Sequence, residues 1–87
     1  MQVTREQFDE AAAAVWAEIE YQNALPRRTE DSEAKDPAGF ATLGRRYLHK
    51  LEDAWADNAD NEPALHVLRK LAAIFVRGMI YGGVRTR

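Results

Sequence analysis

The sequence predicts an all-α fold, a three-helix antiparallel bundle expected to dimerise through its third helix into a larger helical bundle. Apolar residues recur at spacings of three and four in three segments. Nothing alternates with period two over a useful length, and breaks rich in proline or asparagine separate the segments. Eighty-seven residues, 46% of them apolar, suit a single helical domain over 1–87. Fifteen of those apolar residues are alanine, so the core is expected to be thin.

Helix one is expected over residues 4–25. Thr4 followed by Gln7 suits a capping box, and Pro26 stops the helix. Phe8, Ala11, Ala12, Val15, Trp16 and Ile19 share one face at about 100° per residue. Residues 26–36 mix both charges with Thr29 and Ser32 and read as a solvated loop. Helix two is expected over 37–57, with Asp36 as N-cap and Pro37 at the first helical position, where its missing N–H costs nothing. Phe40, Leu43, Tyr47, Leu48, Leu51, Ala54 and Trp55 line one side of it. Gly44 lies among them and would let a neighbouring helix come close. A break at Asn58–Asn61 precedes helix three, expected over 62–81, which Asn61 is placed to cap.

Helix three carries a core stripe of Leu65, Leu68, Ala72, Phe75 and Met79. Val67, Leu71, Ile74 and Val76 widen its apolar face to roughly 200°, against about 100° for a helix packed on one side. Two other helices cannot cover so much. A homodimer joined through Val67, Leu71, Ile74 and Phe75 is therefore expected. Gly82 and Gly83 end the helix, and 82–87 form a basic tail.

The net charge of −2 hides an uneven distribution. Residues 1–25 set Arg5 against Glu6, Asp9, Glu10, Glu18 and Glu20, whereas residues 64–87 carry five cations and no acid. The two ends are expected to attract each other within the fold; the other reading is an anion such as phosphate at the basic end. The longest apolar run, Leu71 to Val76, is too short to cross a bilayer, and no charged-then-apolar leader opens the chain. With no cysteine either, a cytoplasmic location is expected, and thiolate chemistry is excluded.

Few residues carry chemistry. Ser32 is the one serine and has no histidine near it in sequence. His49 and His66 lie on different helices without a companion at ligand spacing. Asp57, Asp60 and Glu62 lack the central glycine and the twelfth-position glutamate of a calcium loop. Arg45, Arg46, His49 and Lys50 spread around helix two and are followed at once by Glu52 and Asp53, so a nucleic-acid partner is not expected. Glu18 borders the apolar face of helix one, with Gln22 one turn later inside it. Such an interior polar pair reads first as a structural hydrogen bond and second as a ligand site.

The run Glu18-Ile19-Glu20-Tyr21-Gln22 resembles the Glu-x-x-Tyr-Gln stretch of small phage-encoded proteins of the MazG-like type. Helix two, from Phe40 to Trp55, and the run Ala64 to Ala73 are similar to the later helices of those proteins, as is the close after Met79. The resemblance implies an all-α dimer or higher assembly that hydrolyses nucleoside triphosphates to monophosphates and pyrophosphate. It also implies magnesium held by glutamate and aspartate pairs on two neighbouring helices. Carried over, it keeps Glu18 and Glu52, while the pair expected on helix three falls on Val67 and Lys70, which cannot hold a metal. The resulting expectation is a phage-derived, non-catalytic dimer that interacts with or regulates a host protein and needs no cofactor. The alternative is a magnesium-dependent hydrolase or nucleotide binder. In it Glu18, Glu52 and Asp53 meet the metal, and Arg69, Lys70 and Arg77 meet phosphate.

Overall fold

A computed structural model describes residues 1–26, 36–58 and 61–87. Its elements are α1 (Arg5–Ala24), α2 (Pro37–Asn58) and α3 (Asn61–Gly82), and no strand occurs among the described residues. Residues 27–35 of the expected loop, and residues 59–60 of the break before helix three, lie outside them.

Local chemistry sets the helix ends. Thr4 Oγ1 accepts from Gln7 N while Gln7 Oε1 accepts from Thr4 N, closing the capping box that starts α1. Asp36 Oδ1 accepts from Gly39 N at 2.7 Å, so Asp36 caps α2 ahead of Pro37. At the far end Gly83 takes φ +90°, a left-handed conformation that a side chain would strain, and its N–H returns to the Ile80 carbonyl. Asn61 is the first residue of α3 rather than the cap before it.

The helices form a bundle with α3 in the middle. α2 packs on one side of it and α1 on another, and among the described residues α1 and α2 share no contact. The α2–α3 pair is antiparallel: the Phe40 ring lies against Gly78 and 5.6 Å from the Tyr81 ring, and Gly44 faces Leu71 and Phe75. A Cβ on Gly44 would stand 2.6 Å from the Phe75 ring, so the missing side chain is what admits that ring. The α1–α3 pair is parallel, with Glu18 beside Arg69 and Gln22 beside Arg77.

The buried apolar residues are Phe40, Leu71, Ala73 and Ile74. This corrects the expected division of α3. Leu71 and Ile74, assigned to a subunit interface, are 7% and 5% exposed and form the chain's own core, with Val67 half-buried beside them. Leu65, Leu68 and Met79, assigned to the core, and Phe75, assigned to both the core and the interface, are about half exposed. The reason lies across the seam. Gly78 stands on the Leu71 side of α3 and Gly44 opposite it on α2, and the helices close where these two glycines leave room.

The core is as thin as the alanine content implies. Phe8 and Trp16 of α1 and Leu48 and Trp55 of α2 also stay open to solvent. The Cα radius of gyration is 14.1 Å, against about 12 Å for a compact chain of this length. No described helix is long and apolar enough to cross a membrane.

Candidate functional site

The one buried charged group among the described residues is Glu18, at 6% exposure. It reaches the α1–α3 seam because α1 turns Ala12, Val15, Ile19 and Gln22 toward the same side, all half-buried. A carboxylate taken out of water needs compensation at both oxygens. Here Oε1 accepts from Arg69 Nε at 3.0 Å, and Oε2 accepts from Gln22 Nε2 at 3.1 Å.

The network continues in both directions. Gln22 Oε1 accepts from Arg77 Nε at 3.0 Å, and Arg77 Nη2 donates to Asn23 Oδ1 at 3.0 Å. On the other side Arg69 Nη1 donates to His66 Nδ1 at 2.7 Å. Guanidinium has no acceptor, so His66 must accept at Nδ1 and carry its proton on Nε2. That nitrogen then donates to Glu62 Oε1, 3.2 Å away. No buried side-chain polar atom among the described residues lacks a partner.

Beside the network lies an open groove of about 490 Å³, lined by Ala14, Ala17, Glu18, Tyr21, Arg69 and Lys70. Lys70 is half-buried and contributes a cation to its wall, with the Tyr21 ring alongside.

The residues expected to hold magnesium are not brought together. Glu52 and Asp53 are exposed on α2, which packs against the opposite side of α3 and does not touch α1. Among the described residues no three of His, Asp and Glu converge as a metal ion requires. Glu18 itself is neutralised by a guanidinium, which repels a cation. Of the three residues expected at phosphate, Arg69 and Arg77 are tied into the seam and Lys70 faces the groove. On α2, Arg45, Arg46, His49 and Lys50 are exposed, with the Lys50 ammonium 4.5 Å above the Tyr47 ring centroid.

The sequence marks Glu18 and Gln22 as an interior polar pair and does not mark their partners. Arg69 and Arg77 stand eight residues apart on the third helix, about 12 Å, and the two polar groups four apart on the first, about 6 Å, so spacing alone does not pair them. The chain matches no protein-family model, no curated protein and no solved structure.

Proposed function

We propose that this chain works as a helical protein-interaction or regulatory module and not as a hydrolase. The observation that supports this most directly is the state of Glu18: the buried acid has both oxygens engaged by Arg69 and Gln22. A magnesium-dependent reaction on a triphosphate needs carboxylates with lone pairs free for the ion. Freeing Glu18 would leave Arg69 without its counter-charge at the seam. The exposed apolar side chains of all three helices add to the reading, because they offer more surface for a protein partner than a monomer ordinarily leaves open. On the MazG-like resemblance, this is a phage-derived relative that keeps the helical scaffold and meets a host protein, without the catalytic metal.

A second reading rests on the groove. Tyr21 offers a ring for stacking and Lys70 an ammonium for phosphate, which together suit a nucleotide bound without hydrolysis. One experiment addresses both readings: thermal melting with deoxynucleoside triphosphates and magnesium, followed by a pyrophosphate-release assay. The interaction reading expects neither product nor a change in melting. A ligand present at a hundred times its Kd would stabilise the fold by about 2.7 kcal/mol. A shift of that size without product would move the assignment to the groove. Pyrophosphate release that disappears in Glu18→Gln would overturn the non-catalytic reading.

A further inference from the structure

We propose that the open side of the helical layer docks a second copy of this chain, turned antiparallel to the first. The inference rests on the interaction reading above and adds a second copy of the chain to the partners it expects. Six large apolar side chains define the surface: Trp16 of α1, Leu48 and Trp55 of α2, and Leu65, Leu68 and Met79 of α3. Each is between 45% and 57% exposed. The Glu18–Arg69 and Gly44–Phe75 contacts fix how each helix is rotated. At about 100° per residue, all six then fall on the same side of the layer, away from the groove of Tyr21 and Lys70. They form one continuous patch across three helices.

Charge selects the partner and its direction. The start of α1 carries Glu6, Asp9 and Glu10 against Arg5, which is bonded to Asp9. The end of α3 and its tail carry Arg77, Arg85 and Arg87, against Asp36 at the start of the α2 helix packed there. Because α1 and α3 are parallel, these groups lie at opposite ends of the molecule. Glu6 is about 18 Å before the Glu18–Arg69 contact, and Gly82 about 20 Å beyond it, at 1.5 Å per residue. That separation far exceeds the screening length of about 8 Å at physiological salt, so the two ends cannot neutralise each other within one chain. A two-fold axis across the patch brings the acidic end of each copy to the basic end of the other, twice, in a closed and self-complementary pair. A parallel pair would set acid on acid.

Sedimentation equilibrium of the full chain tests this. A dimer at micromolar concentration is expected, and Leu68→Glu should make it a monomer with unchanged helical circular dichroism. If Leu68→Glu loses helix, Met79→Glu at the other end of the stripe serves the same purpose. Reversing the acidic end (Glu6→Lys with Glu10→Lys) should weaken association roughly tenfold, as should reversing the tail (Arg85→Glu with Arg87→Glu). Combining both reversals in one chain should restore it. A monomer at 100 times that concentration, or a dimer indifferent to Leu68→Glu and Met79→Glu, overturns the proposal. So does failure of the combined reversal to restore association. A monomer that also releases no pyrophosphate sinks the second copy alone and leaves the interaction reading standing. Pyrophosphate release sinks that reading whatever the mass.

Discussion

Where α2 meets α3, the touching groups are rings, branched carbons and two glycines; where α1 meets α3, half-buried Ala12, Val15 and Ile19 flank a network of a carboxylate, two guanidiniums and two side-chain amides. Phe40, Leu71 and Ile74 are non-directional contacts, strong in proportion to the area they remove from water and tolerant of small slips. Glu18, Arg69, Gln22 and Arg77 tolerate no slip, because each donor has one acceptor at about 3 Å. Moving α1 by one turn would bury a carboxylate without its guanidinium. The apolar seam therefore holds its helices by the area it removes from water, and the polar network sets the alignment of the helix that carries it.

The largest expected effect breaks the apolar seam. Ile74→Asp places a carboxylate at a site 5% exposed in the chain's own core, and a loss of more than about 4 kcal/mol is expected. Far-ultraviolet circular dichroism should show an unfolded chain at 25 °C, and a cooperative melt near that of the parent would show that the seam is misplaced.

The polar seam comes next. Arg69→Leu leaves Glu18 buried and unpaired, which should cost about 2–3 kcal/mol, below the full value for a buried pair because the Arg69 side chain is 31% exposed. The informative comparison is the double variant Glu18→Leu with Arg69→Leu, which should recover most of that loss in urea denaturation. If the double variant is as unstable as the single one, the pair contributes stability rather than alignment.

The smallest effect sharpens the role of the two glycines. Alanine gains about 1 kcal/mol of helix propensity over glycine. At Gly78 its Cβ would lie 3.1 Å from Cγ and 3.3 Å from Cβ of Phe40, a buried residue with nowhere to move. Gly78→Ala should therefore lose about 1 kcal/mol net despite the propensity gain. Gly44→Ala meets the far end of the half-exposed Phe75 ring, which can swing outward, and Leu71 Cδ1 at an ordinary 3.7 Å, and should be near neutral. Equal melting temperatures for the two variants would count against this reading of the seam.

What could be read beforehand follows the range of each interaction. The helix ends were legible because caps are local: Thr4 with Gln7, Asp36 with Pro37, and Gly83 act within a few residues. The inward side of α3 was not. Its apolar face is so wide that Leu71 and Ile74 cannot be told from Leu68 and Met79 by spacing, and glycines on two helices make the choice. Within the site, Glu18 and Gln22 stood out because they are polar, one turn apart and on an apolar face. Their partners lie 51 and 55 residues away, where no periodicity connects them.

The way α1 is attached has a further consequence. It borders α3 and not α2, so lifting it away severs one seam and leaves the other whole. Its amide protons can then exchange with solvent through a partial opening, while those buried between α2 and α3 must wait for the whole molecule to come apart. In deuterated water the first helix should fade from the spectrum well before the other two.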